Sequence, residues 1–228
     1  MEVKPLQSSL CPESLPLTFE TVTAPGYLEL LIRRLNDDAT LTWLIQAREV
    51  LEPDVKTSAT ILDIGCATGY AAKVFPELEY LGLDVEEQYL EIARSHFQGN
   101  DRVSFLSHDM MSAPIQPRKD IVILNGVLEH CPSLTPAFDN VLASAGSTIL
   151  LRTWLGELEQ INTVPSPKPA FADTVRKFSN QYAFTDVFRM LDRNGFAGTV
   201  IRDRYTDSLP RYVDGAMRTF YFVKATRL

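Results

Sequence analysis

The sequence predicts an α/β protein built on a doubly wound, mostly parallel sheet with helices on both faces. Two observations carry that prediction. Short apolar segments of strand length alternate with helix-like segments between residues 58 and 152, the pattern that strand–helix–strand units impose on a parallel sheet. Several of those segments, DIVIL at Asp120–Leu124 above all, are near-uniformly apolar, as strands covered on both faces are.

Each element follows from local pattern. Residues 1–24 hold Pro5, Pro12 and Pro16 among serines and read as irregular. Helical spacing begins near Pro25, with Leu28, Leu31, Ile32 and Leu35 on one face. A second helix after Asp38 carries Leu41, Leu44, Ile45 and Val50 and stops near Pro53. These helices either cover one sheet face or roof a ligand site at the strands' carboxyl edge. The alternation then runs strand Thr60–Ile64, helix near Tyr70–Phe75, strand Tyr80–Leu83, helix Glu86–His96, strand Val103–Leu106 and strand Asp120–Leu124. A helix near Thr135–Ser144 and a strand at Ser147–Arg152 complete it. Residues 153–180 break the pattern with Pro165, Pro167 and Pro169 and no clean period. An irregular insertion of that length is more often functional than structural. A helix from about Tyr182 to Arg193 ends at Asn194-Gly195, residues suited to a left-handed C-cap. Strands near Thr199–Arg204 and Arg218–Lys224 close the chain around a loop at Tyr205–Ala216. The expected organisation is one domain. It comprises an N-terminal segment and helices (1–57), a core (58–152), an insertion serving as a candidate substrate lid (153–180), and a C-terminal helix and strand pair (181–228).

Composition narrows the function classes. Of 228 residues 45% are apolar and 22% charged, and the net charge is −7. That argues against bulk binding to nucleic acid or an anionic membrane. The segment 202–228 has six basic and three acidic residues and reads as a solvated hairpin face. Cys11, Cys66 and Cys131 are scattered, with no metal-ligand spacing, so no metal is expected. The first twenty residues have no continuous apolar run, so they read as neither a signal peptide nor a spanning helix, and the expected location is cytoplasmic.

The stretch ILDIGCATGY at 61–70 concentrates the chemistry. Ile61, Leu62 and Ile64 bury a strand. Gly65 lets the backbone turn sharply and touch a ligand. Gly69 lets a helix start close to that turn, with free N–H groups at its N-terminus. Asp63, at the strand's carboxyl end, suits a ligand with a positive group. A phosphate loop would need a Lys-Ser/Thr ending, and a dinucleotide turn would need G-x-G-x-x-G. Here Gly65, Ala67 and Gly69 stand two and two apart. A purely structural strand–helix turn stays open on this motif alone.

The run Asp63-Ile64-Gly65-Cys66-Ala67-Thr68-Gly69 resembles the D-x-G-x-G-x-G motif of class I S-adenosylmethionine-dependent methyltransferases of the small-molecule type, with Ala67 in place of the middle glycine. The resemblance implies a Rossmann-like, seven-stranded sheet with an antiparallel last strand. It implies S-adenosyl-L-methionine as cofactor, cradled by Gly65, Cys66, Ala67 and Gly69. Asp84, beside Val85 at the tip of the second strand, would take the ribose diol; capping the next helix is the competing role. Asp109 would meet the adenine amino group, with the Met110 N–H near the ring; alone it reads as a loop acid. The segment NGVLEH is similar to one that follows the fourth strand in this family, and Asn125 and Gly126 would present backbone to the methionine moiety.

Methyl transfer from a sulfonium is an in-line displacement, so alignment and exclusion of water matter most. A base is required only where the acceptor must lose a proton. His130 is the candidate base, against a plain role as a hydrogen-bonded loop histidine. Glu129 reads as a structural or solvent-facing acid, and Cys66 as a small filler. Arg152 and Trp154 face the crevice in this topology and are candidate substrate contacts. Arg152 would hold an anionic group or pair with a surface acid. In the insertion, Lys168, Phe171, Arg176, Lys177 and Phe178 suit a substrate with an apolar body and an acidic group. The expected activity is methyl transfer to an O, N or C atom of a small molecule, with neither nucleic acid nor membrane as partner. A non-catalytic binding or regulatory protein on the same fold is the alternative, and aminopropyl transfer a third use of the cofactor.

Overall fold

Along the first strand Ile61 points to one side of the sheet, and Leu62 and Ile64 to the other. That period-two split, repeated in each neighbouring strand, builds two cores. The computed structural model describes residues 27–36, 41–56, 59–165 and 176–228. Expectations for 1–26 (Cys11 among them), for Asp38 and for Pro167, Lys168, Pro169 and Phe171 lie outside those residues.

In chain order the described elements are α1 (Tyr27–Asn36), α2 (Thr42–Leu51), β1 (Thr60–Ile64), β2 (Glu79–Asp84), α3 (Glu87–His96), β3 (Val103–Ser107) and β4 (Lys119–Asn125). Then come α4 (Ala137–Ser144), β5 (Ala145–Gly156), β6 (Thr163–Pro165), β7 (Arg176–Phe178), β8 (Tyr182–Ala183), α5 (Phe184–Arg193), β9 (Phe196–Arg202), β10 (Arg211–Val213), β11 (Ala216–Arg218) and β12 (Phe220–Arg227). The main sheet has the order β3-β2-β1-β4-β5-β12-β9, and β12 runs antiparallel to both β5 and β9. This is the expected seven-stranded arrangement, with the two-residue β8 added in parallel beside the far end of β5. Strand order reverses between β1 and β4, so a crevice opens at their carboxyl ends, where such sheets bind ligands.

One core packs α4 and α5, through Phe138, Val141, Val187 and Leu191, against Leu62, Val122 and Leu151. The other packs α2, through Trp43, Leu44, Ala47 and Leu51, against Ile61, Ile123, Leu150 and Phe222. Side chains of that size each contribute about 1.5–3 kcal/mol when fully buried. The two N-terminal helices divide the roles weighed for them. α2 covers the sheet face, and α1 lies over the turn after β1, with Leu31 packed on Ala67 and Tyr89.

Four expectations are corrected. The helix at 70–75 is a 3₁₀ helix, Tyr70–Val74. It lies between left-handed Gly69 and Pro76, which bars Phe75 from helical geometry; five residues cannot complete a stable α-helix. β5 runs on to Gly156 because β12 pairs with it up to Trp154 and β8 from Leu155. The insertion is not wholly irregular, since β6 and β7 form an antiparallel ladder. The loop at 205–216 contains the hairpin β10–β11, turned by Asp214-Gly215 at φ +50° and +82°. An Asp-Gly pair is the strongest short-range hairpin signal, and it stands in the sequence.

Candidate active site

Gly65 turns the chain out of β1 at φ +72°. A Cβ there would lie 2.3 Å from Val127 Cγ2, and one on Gly69 (φ +74°) would lie 2.5 Å from the Phe105 ring. Backbone conformation and space both demand glycine. The turn folds back on β2. The N–H groups of Gly65 and Cys66 donate to the Leu83 carbonyl at 2.8 Å each, and Ala67 N–H donates to Asp84 Oδ2 at 2.8 Å. The Asp84 carboxylate thereby holds Ala67, an L-residue, at φ +49°. Thr68 Oγ1 donates to the Leu31 carbonyl of α1 at 3.2 Å.

The other strand ends join this turn. His108 N–H donates to the Asp84 carbonyl at 3.1 Å, and Gly126 N–H to the Arg152 carbonyl at 2.9 Å. Val127 closes the gap by packing against Gly65. The carboxyl ends of β1 to β5 therefore form one connected edge.

Two acids are buried in it. The Tyr80 hydroxyl donates to Asp63 Oδ2. Burial pushes the Asp63 carboxyl up to about 7, the charge of nearby Asp84 acts in the same direction, and the Tyr80 bond opposes both. Burial also raises Asp84, against the N–H bonds from Glu86 and Ala67. Asp84 Oδ1 accepts Glu86 N–H at 3.0 Å. The helix α3 has its N-cap at Glu86 with no side-chain cap, so Asp84 shapes the approach to α3 rather than capping it. Val85 beside it is exposed. Tyr89 is buried on α3, and its hydroxyl has no hydrogen-bond partner among the described residues. Asp109 Oδ1 accepts Met111 N–H at 2.8 Å, and the carbonyl of buried Met110 accepts Asn140 Nδ2 at 2.7 Å.

The tip of β4 is tied to the insertion. Glu129 is 1% exposed, with the Thr153 hydroxyl donating to its Oε2 at 2.7 Å. This excludes the solvent-facing reading. His130 Nδ1 lies 3.1 Å from the Phe178 carbonyl. A carbonyl only accepts, so Nδ1 carries the hydrogen, which in the neutral ring leaves Nε2 as the acceptor. Asn180 donates its N–H to the Glu129 carbonyl and its Nδ2 to the Cys131 carbonyl, at 2.8 and 2.7 Å. Cys66 and Cys131 are buried free thiols.

Residues 61–146, from β1 into the start of β5, match the family model described as a methyltransferase domain. That stretch is therefore similar to a methyltransferase domain. A malonyl-acyl-carrier-protein O-methyltransferase of Acetivibrio thermocellus is 31% identical over 103 residues, 43% of this chain and 36% of the relative. A ribosomal protein methyltransferase of Dictyoglomus turgidum is 28% identical over 110 residues, 46% of this chain and 36% of the relative. The matches thus span little more than a third of these relatives' length. The magnesium protoporphyrin IX methyltransferase of Synechocystis, solved with bound SAH, is 15% identical, with a TM-score of 0.58 over 90% of this chain and 96% of that one. That likeness is one of fold.

S-adenosyl-L-methionine is the cofactor of methyltransferases of this class, and the residues at the edge fit it. Two buried carboxyls with raised affinity for a proton would be relieved by a cation. An unpartnered tyrosine hydroxyl stands close enough to Asp84 to feel its charge.

Two candidate substrate contacts are already engaged. Arg152 is buried. Its Nη2 pairs with Asp203 Oδ2 at 2.8 Å, its Nη1 donates to Asn125 Oδ1 at 3.2 Å, and its guanidinium stacks 4.0 Å from the Phe220 ring centroid. Its partner acid is therefore buried, not at the surface. Trp154 is buried against Phe220 at 5.3 Å. The expected solvated face of 202–228 is also corrected at two positions: Arg211 is exposed, but Arg218 is 1% exposed and Asp203 is wholly buried. Reading by sequence passed over Tyr80, Tyr89 and Arg218. The tyrosines sit at core-spaced positions and the arginine in a basic tail, and neither pattern signals where a polar head ends up.

Proposed function

We propose that this protein transfers a methyl group to an O, N or C atom of a small-molecule acceptor. S-adenosyl-L-methionine would supply the methyl group on a sulfonium, a good leaving group that needs no activation. The observation that carries the reading is the connected edge formed by the ends of β1 to β5, with Asp63 and Asp84 buried in it and Gly65 shaped to it. The protein's task is then binding, alignment and exclusion of water.

In this reading Asp84 takes the ribose hydroxyls, with Val85 flanking. Asp109 and the Met110 backbone take the adenine, and Gly65, Cys66, Ala67, Gly69, Asn125 and Gly126 line the methionine portion. Asp63 answers the positive charge through Tyr80 and the turn. His130 is the base where one is needed, because the Phe178 carbonyl holds Nδ1 and leaves Nε2 as the basic nitrogen of the neutral ring. β6 and β7, tied to the Leu128–His130 turn, form a wall or lid of the acceptor site, and Arg152 and Trp154 support that wall from beneath. A net charge of −7 favours a small acceptor over a nucleic acid. Among the described residues no helix is long and apolar enough to cross a membrane.

Isothermal titration with S-adenosylmethionine tests the reading. Saturable binding is expected in the wild type, and Asp84→Ala should weaken it about tenfold or more, the scale of a lost charge-assisted hydrogen bond. No heat of binding at millimolar cofactor would sink the proposal. The competing role, a non-catalytic scaffold, predicts binding without transfer of label from methyl-labelled cofactor to any small molecule of a cell extract.

A further inference from the structure

Arg218 is the largest fully buried side chain among the described residues, and its guanidinium is only half engaged. Nε donates to the Val213 carbonyl at 3.2 Å. Nη2 donates to the Asn162 carboxamide oxygen at 2.8 Å, once that amide is oriented to satisfy both its ends. Nη1 is buried and has no hydrogen-bond partner among the described residues. An arginine cannot escape such a site by losing its proton, so the open edge of the fork carries a real cost.

The surroundings show that this is not a loosely placed chain end. The guanidinium carbon sits 4.7 Å from the Trp154 ring centroid, so one face of the cation is covered by indole. Glu129 and Asp214 are close enough for their charges to act on it, yet both are committed elsewhere. Glu129 Oε2 accepts from Thr153, and Asp214 Oδ2 accepts from Ser179 with Lys177 Nζ 3.9 Å away. Neither acid makes an ion pair with Arg218. The charge is balanced at a distance, while the N–H groups of Nη1 are left over.

Contacts run from this cluster back to the cofactor turn. Glu129 Oε1 lies 3.5 Å from where a Cβ on Gly126 would stand, Gly126 precedes Val127, and Val127 packs on Gly65. Trp154 and Phe220 are paired on the end of β5. Arg218 is therefore linked to the β4–β5 end of the edge, away from Asp84 at the tip of β2.

We infer that Arg218 Nη1, with Trp154 as its platform, binds a carboxylate oxygen of the methyl acceptor. The inference rests on the methyltransferase reading above and names the acceptor's class: an organic acid with an apolar body next to its carboxylate. With Nε and Nη2 already used, the contact is a single charge-assisted hydrogen bond and not a two-pronged clamp. It discriminates against neutral amides and esters of the same shape, because they leave the buried cation uncompensated.

The test uses the full chain and three carboxylates of graded size, acetate, benzoate and hydrocinnamate, each against its primary amide. Titrations are run with S-adenosylmethionine present, after saturable cofactor binding has been established. The expected result is that at least one carboxylate binds about tenfold more tightly than its amide, the scale of one charge-assisted hydrogen bond. Arg218→Gln should abolish that preference while cofactor affinity stays within about twofold, which also certifies the fold. Should that variant fail to fold, Arg218→Lys keeps the charge and should retain a reduced preference. If all three carboxylates bind no better than their amides in the wild type, or if Arg218→Gln keeps the preference, the assignment is overturned. Absence of cofactor binding would instead overturn the methyltransferase reading itself, so the two failures are distinguishable.

Discussion

At the scale of single residues, Asp63 is the group whose ionisation the fold contests. Burial first, then the charge of Asp84, lifts its carboxyl from an ordinary 3.8 to about 7. The folded protein therefore holds this proton more tightly than the unfolded chain does. The stabilisation is fully present below the unfolded value near 4 and fades as pH rises through about 7. In the ligand-free protein, the urea midpoint should fall between about pH 4 and about pH 7, and Asp63→Asn should flatten that fall. Parallel declines in the two proteins would show that Asp63 titrates no differently when folded. The position of Asp63 at the end of an apolar strand was plain from the residues. Its charge state was not, because it depends on Tyr80 and Asp84, which come from the next strand. Arg218 makes the same point more sharply. Charge read along a chain defaults to the surface, and only the packing of β11 against the end of β5 places this one inside.

At the scale of elements, the tip of β4 and the segment 178–182 behave as one unit. Asn180 bridges the Glu129 and Cys131 carbonyls, Tyr182 donates its hydroxyl to the Leu128 carbonyl at 2.9 Å, and His130 reaches Phe178. Asn180→Ala leaves the buried Cys131 carbonyl with only the longer, 3.3 Å arm of the Tyr182 hydroxyl hydrogen that it shares with the Leu128 carbonyl. It should cost about 1–3 kcal/mol. Amide hydrogen exchange should accelerate together in 128–131 and 178–182; acceleration confined to 178–182 would mean that the two segments are not coupled. Strands β1 to β5 were legible because near-uniform apolar runs have few other uses. The fine structure of the insertion was not. β6 and β7 are three residues each, too short for a period to register, and β7 packs on the Leu128–His130 turn, distant in the chain. The overrun of β5 was hidden for a related reason: Thr153 and Trp154 continue the strand only because β12 offers them partners.

At the scale of the whole molecule, the Arg152–Asp203 pair joins the sheet to the segment beyond β9. Asp203 is wholly buried and also accepts from Thr206 at 2.6 Å, while Arg152 is surrounded by the Trp43, Tyr205, Phe220 and Phe222 rings. Asp203→Asn would strand a buried guanidinium and should cost about 3–5 kcal/mol in a urea melt. A loss below about 1 kcal/mol would show that the four rings alone neutralise the cation. The fold class and the reversal of strand order at the crevice followed from the alternation of elements. The crowding of aromatic rings around one arginine did not, since Trp43 and Phe222 are 179 residues apart in the chain. The position of β12 has a consequence for how the chain is made. β12 lies between β5 and β9, so β9 joins the sheet only through it. A chain emerging from the ribosome N-terminus first has β9 in hand some twenty residues before the strand that can hold it. Until residues 220–227 arrive, the long edge of β5 is bare, and nascent molecules on the same messenger are exposed to each other along it.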